Sequence, residues 1–188
     1  MNNSRKETLE AIGFRTGEII LPGLNIKVTL EPNQYFFFDG QVDSIEENDR
    51  NWAEILKVDY EDVSSESENV VGKYLYRKLG DEYNLAIVYY LKEDNKKEEI
   101  LTIGHESTHI LFRFGLEHKL LEALEKEGFN FNPLTYFNDE EDIAEAGGVL
   151  SSYKLQKGSI EHFSELMDLR FAAMAYMEQS QEMMRLLY

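Results

Sequence analysis

In residues 25–31, Ile26, Val28 and Leu30 alternate with Lys27 and Thr29, the two-residue period that turns one face of a strand toward a core. Pro32 and Asn33 break this run ahead of a second apolar stretch, residues 35–38, which Asp39 and Gly40 stop. The two runs predict a β-hairpin. Residues 84–91, NLAIVYYL, are apolar and β-favouring and form the strongest predicted strand of the chain. Between these strands, residues 43–68 are acidic and polar, with a short predicted helix at 52–56 and a solvated loop at DYEDVSSESE. Ser65 and Glu68 make a capping-box pattern ahead of NVVGKYLYRKL, and Gly80 stands where a helix would stop, so a helix is predicted over 66–79.

The apolar period lengthens in the second half. A helix is predicted over 98–114, with Leu101, Ile103, Ile110, Leu111, Phe112 and Phe114 around most of its circumference and Gly115 at the left-handed position that ends it. Such a helix is buried. GLEHKLLEALEKEG reads as an exposed amphipathic helix. Asn138 can cap a further helix from 139, in which Ile143, Ala146 and Leu150 form one apolar stripe while Glu141 and Glu145 share another face. Ala144, Gly147 and Gly148 are small enough to let that helix press closely against another. Residues 160–187 predict a last helix whose Phe163, Leu166, Met167, Phe171, Met174, Met177, Met183 and Met184 are read as core. The expected fold is α+β in a single domain over 1–188: a small antiparallel or mixed sheet in a strand-rich part, about 1–92, packed on the 98–114 helix, with a helical part over about 98–188.

Composition narrows the partners and the chemistry. The 188 residues are 43% hydrophobic, enough for one good core, and carry a formal net charge of -17. That charge argues against nucleic-acid or anionic-membrane surfaces, whose phosphates would be repelled, and favours a protein or peptide partner. Cysteine is absent, so any metal site must use histidine and carboxylate ligands. MNNSRKETLEAIGF has no apolar core of a signal peptide, and no run is long enough to span a membrane, so a cytoplasmic protein is expected.

Chemistry concentrates in His105, Glu106 and His109, which spell HESTH within LTIGHESTHILFRFG and match H-E-x-x-H. Imidazoles four residues apart on a helix point the same way and can reach one metal ion, while Glu106, rotated by about 100°, can reach a water on that metal. The competing reading is two core histidines tied to carboxylates, because an unsatisfied buried imidazole costs about 1–3 kcal/mol. Catalytic zinc usually has three protein ligands and an open position. A third histidine six residues on is excluded, since Gly115 occupies that place. His118, Glu141 and Glu145 remain as candidates, and Glu141 has a structural reading of its own as the third residue after the Asn138 cap.

HESTH followed by a helix carrying EDIAE resembles the gluzincin branch of zinc metallopeptidases, and Glu141 standing three residues before Ala144 resembles the ImmA/IrrE-type metallopeptidases. The resemblance covers residues in about 100–150. It implies a zincin-like fold, zinc held by His105, His109 and Glu141, Glu145 supporting a ligand histidine, and hydrolysis of a peptide bond by a zinc-activated water with Glu106 as general base. Tyr136, Tyr153 and His162 lie downstream, where such enzymes supply an oxyanion donor, and His162 is preferred because an imidazolium can donate. The resemblance further implies that the 84–91 strand can take an extended peptide at a sheet edge; a central core strand is the alternative. Limited proteolysis by a zinc endopeptidase is therefore expected. An inactive zincin-fold binding module would not need Glu106, and an acidic interaction protein would show unbroken acidic faces, whereas the 19 Lys and Arg are scattered.

Overall fold

A computed structural model of the chain describes residues 3–62, 71–80, 83–93, 95–127 and 140–156. Among these residues, five α-helices and two small sheets make an α+β architecture: α1 (Asn3–Ile12), β1 (Glu18–Leu21), β2 (Ile26–Thr29), β3 (Gln34–Val42), α2 (Ile45–Leu56), β4 (Gly72–Leu79), β5 (Tyr83–Leu91), α3 (Lys96–Arg113), α4 (His118–Lys126) and α5 (Glu140–Gln156). The run NLAIVYYL is β5, the centre of a mixed sheet of order β3-β5-β4. Its residues 85–89 are 0% exposed, because the strand has a core on each face. Leu85, Ile87 and Tyr89 meet Leu9, Trp52, Ala53 and Leu56 from α1 and α2. Ala86 and Val88 meet Ile110, Leu111, Leu120 and Ala146 from α3, α4 and α5, together with Ile19 and Val28 of the small β1–β2 sheet.

Two expectations are corrected. The strand at 26–29 does not form a hairpin with the one that follows; it pairs backward with β1, Glu18 opposite Thr29, while β3 pairs in parallel with β5. The Pro32–Asn33 turn carries the chain from one sheet to the other. In place of a helix over 66–79, residues 72–79 form a strand antiparallel to β5, with Gly72 opposite Tyr90 and Leu79 opposite Tyr83. Leu75 faces the α2 side and Tyr74 and Tyr76 the α3 side, so apolar residues on both faces blur the period of two. Pairing with a strong neighbouring strand outweighs local helix propensity here. Gly80 does adopt a left-handed φ of +62°, at the end of a strand.

The second-half helices match the sequence pattern closely. Asn95 caps α3 by accepting from the Lys97 N–H at 3.0 Å, Glu98 and Glu99 occupy its first turn, and Gly115 beyond its end has φ +69°. α5 runs antiparallel to α3: Gly148 lies against Leu101 and His105, Gly147 against Thr108, and Gly104 against Ser151. A Cβ on Gly147 would sit 1.8 Å from Thr108 Oγ1, and one on Gly104 would sit 2.1 Å from Ser151 Oγ, so the closeness of the two helices depends on glycine. At the turn between β1 and β2, Gly23 abuts the Gly104 backbone, where a Cβ would come within 2.7 Å of the amide nitrogen. The hairpin tip thereby fixes α3 one residue before His105. α2 starts earlier than its predicted 52–56, capped by Ser44, whose Oγ accepts from the Glu47 N–H at 3.2 Å. The predicted helix at 160–187, with its methionines, lies outside the described residues.

Ser107 sits on the buried side of α3 at 0% exposure, and among the described residues its Oγ has no hydrogen-bond partner. A buried hydroxyl without a partner costs about 1–3 kcal/mol. Ser107→Ala is expected to raise the unfolding free energy by about 1 kcal/mol in urea titrations; a loss of that size would mean the hydroxyl is satisfied in solution. No helix among the described residues is long and apolar enough to cross a membrane.

Candidate metal centre

Helical spacing puts His105 and His109 one above the other on the face of α3 that meets the start of α5. Their Nε2 atoms are 3.2 Å apart. The Glu141 carboxylate bridges them, with Oε2 3.5 Å from His105 Nε2 and Oε1 3.5 Å from His109 Nε2. The opposite ring nitrogens are held by other carboxylates: His105 Nδ1 lies 3.4 Å from Glu145 Oε2, and His109 Nδ1 lies 2.9 Å from Glu140 Oε1. A carboxylate accepts, so each Nδ1 carries a proton and each Nε2 of a neutral ring presents its lone pair to the other. Two lone pairs at 3.2 Å repel unless a cation or proton lies between them.

These donors fit a metal ion. His105, His109 and Glu141 each offer an atom within 4.8 Å of the others. Bonds of about 2.0–2.1 Å in a tetrahedron give donor separations of about 3.3–3.4 Å, close to the distances of 3.2 and 3.5 Å found here. The nitrogen and oxygen donor set, without thiolate, suits zinc.

Electrostatics accord with this arrangement. Burial disfavours charging His105, but its contacts to Glu141 and Glu145 win and raise its pKa to about 9, so without metal a proton occupies this ring near neutral pH. His109 is shifted down, by burial and then by the charge on His105. Glu141 is pushed below the usual carboxylate range by its hydrogen bond from His105. Glu106 behaves oppositely: burial raises it to about 7, against the pull of His105 and a hydrogen bond from the Tyr74 backbone N–H. Its side chain lies under β4, where a Cβ on Gly72 would come within 3.1 Å of Glu106 Oε1.

Of the expected site residues, the structure brings together His105, Glu106, His109, Glu141 and Glu145. His118 stands exposed at the start of α4 and belongs to no such cluster among the described residues. Tyr153 lies three turns along α5 from Glu141 and packs against the core that includes β1, β2 and α4, away from the histidines. His162 and Tyr136 lie outside the described residues. Three neighbours of His109 escaped sequence reasoning. Glu140 accepts from its Nδ1, Tyr74 stacks on its ring at 4.2 Å between centroids, and Arg113 pairs with Glu140 at 3.0 Å. A signal for Glu140 existed: in antiparallel helices, if Glu145 meets His105, the partner of His109 lies about one turn earlier on α5. Tyr74 had none once its segment read as helix.

The expected peptide edge also moves. Among the described residues β5 is central, and the edge strand over α3 is β4. The Leu91 N–H donates to Val71 O at 2.8 Å, so antiparallel alternation turns the backbone groups of Gly72, Tyr74 and Tyr76 away from β5. No protein-family model, no curated protein and no solved structure matches this chain.

Proposed function

We propose that this chain is a zinc-dependent metallopeptidase of zincin-like build, with His105, His109 and Glu141 as metal ligands and Glu106 as general base. One observation carries the reading: two imidazole Nε2 atoms at 3.2 Å share a carboxylate, with both Nδ1 atoms held by further carboxylates. Core histidines tied to acids, the competing reading, do not require their free nitrogens to converge. A zinc ion held there supplies Lewis acidity, bringing the pKa of water toward about 7 and polarising a carbonyl.

The chain's own groups do the rest. Glu145 and Glu140 hold the imidazoles with Nε2 facing inward. Glu106, raised to about 7, takes the proton of the attacking water on a carboxylate oxygen and returns it to the leaving amine. Gly72 lets β4 pass close over this carboxylate, and the outward backbone groups of Gly72 and the outward carbonyl of Tyr74, whose N–H is held by Glu106, can pair with an extended peptide beside it.

The test is metal content and calorimetric titration of the purified full chain. Wild type is expected to hold one zinc per chain, and His105→Ala and Glu141→Ala to hold far less. Binding should release the proton that His105 carries, and this share of the release should disappear as pH rises through the His105 pKa of about 9. Equal zinc retention by His105→Ala would sink the proposal, and a metal other than zinc would keep the site while changing the ion. Cleavage of a peptide library by wild type and not by Glu106→Gln separates a peptidase from a metal-holding binding module.

A further inference from the structure

We infer that Tyr74, Glu140 and Arg113 form a positioning clamp on His109, which makes it the preset member of the histidine pair, while His105 is the adjustable one. This rests on the metal-centre reading. His109 Nδ1 donates to Glu140 Oε1 at 2.9 Å, and the other oxygen of that carboxylate receives Arg113 Nη2 at 3.0 Å. Tyr74 OH closes the triangle, donating to Glu140 Oε1 at 3.2 Å and accepting from Arg113 Nη2 at 3.0 Å. The Tyr74 ring lies over the imidazole at 4.2 Å and 17° between planes. Position, tautomer and ring plane of His109 are therefore each set by a separate contact.

His105 lacks this support. Among the described residues its Nδ1 reaches a single carboxylate, Glu145, at the longer distance of 3.4 Å, and it meets no aromatic ring other than the edge of His109. Its side chain is 22% exposed against 3% for His109. The parts of the clamp come from three elements: Tyr74 from the edge strand β4, Arg113 from the last turn of α3 and Glu140 from the first turn of α5. Arg113 also supplies a positive charge that lets Glu140 sit beside Glu141 at the start of α5 without leaving two uncompensated carboxylates. Tyr74 has a second attachment, since its backbone N–H bonds the Glu106 carboxylate. One residue of the edge strand thus touches both the proposed general base and a proposed ligand.

Residues that orient a ligand histidine typically change metal affinity by about 10–100-fold when removed. The test uses the full chain as wild type, Glu140→Ala, Arg113→Ala and Tyr74→Phe, with Arg113→Lys as the conservative variant. In metal-free protein, side-chain nitrogen NMR reads the His109 tautomer: wild type should hold the proton on Nδ1, and Glu140→Ala should lose that preference while the His105 nitrogen signals are unchanged. Zinc affinity by chelator competition should fall about 10–100-fold in Glu140→Ala, less in Arg113→Ala and in Tyr74→Phe, which keeps the ring stack, with partial recovery in Arg113→Lys. Folded Glu140→Ala with the wild-type tautomer and affinity would overturn the clamp. If wild type binds no metal, the peptidase reading fails, and the tautomer measurement still decides the clamp alone.

Discussion

Replacing Glu106 with glutamine is expected to leave zinc content at the wild-type level and to lower peptide hydrolysis by about 10²–10⁴-fold, the range for removing a positioned general base. Glutamine keeps the shape and can still accept the Tyr74 backbone N–H, but it cannot take a proton. The same change has an opposite effect on stability. The folded pKa of Glu106, about 7, lies above the ordinary carboxylate value of 4.5, because burial penalises its charge. A raised carboxylate pKa contributes stability at low pH that is lost as pH rises through the folded value. Glu106 alone should therefore cost metal-free wild type about 3 kcal/mol between pH 4.5 and a pH above 7, at about 1.4 kcal/mol per pKa unit. The glutamine variant should lack that loss and be the more stable protein at pH 8 in denaturant titrations. A variant that hydrolyses at the wild-type rate removes Glu106 from the chemistry; one that shows the wild-type pH dependence of stability places its carboxylate in water.

Gly147→Ala is expected to destabilise the fold by about 2–3 kcal/mol, although alanine favours a helix by about 1 kcal/mol over glycine. The added Cβ would lie 1.8 Å from Thr108 Oγ1 and 2.8 Å from Thr108 Cβ. Rotation of the threonine can move its hydroxyl, which is bonded to Gly104 O at 2.8 Å, but not its Cβ. The remedy open to the protein is to part α3 from α5. Since α5 carries Glu140, Glu141 and Glu145, that movement should also weaken zinc binding at least about 10-fold, as misplacing ligands and their supports does. Urea unfolding and chelator competition on the same sample check both effects. Wild-type stability with wild-type affinity would show that the close helix contact is not what assembles the site.

Much of this site was legible because its parts are local. HESTH is a five-residue pattern on a helix whose burial and glycine stop follow the sequence closely. Glu141 and Glu145 share a helical face by spacing alone, and the small residues of α5 announce a close helix partner. The clamp on His109 was not legible in the same way. Tyr74 and Glu140 are separated by 66 positions, and His109 and Glu140 by 31, so only the packing of three elements brings them together. Glu140 sat next to a candidate ligand and looked like helix-terminal charge, which it also is.

By itself, the sequence determined the helical spacing of the two histidines, the exclusion of cysteine and of a third motif histidine, the strand character of residues 84–91, and the carboxylates of α5. Each follows from a short-range period or from composition, which hold in any tertiary setting. Tertiary structure alone decided that residues 72–79 are a strand, that this strand and not β5 is the edge beside Glu106, and that β3 runs parallel to β5. The reason is physical: a strand has no internal hydrogen bonds, so whether an apolar segment becomes one, and which edge it leaves open, depends on partners elsewhere in the chain. A helix satisfies its own backbone, and its side chains declare their neighbours in the sequence.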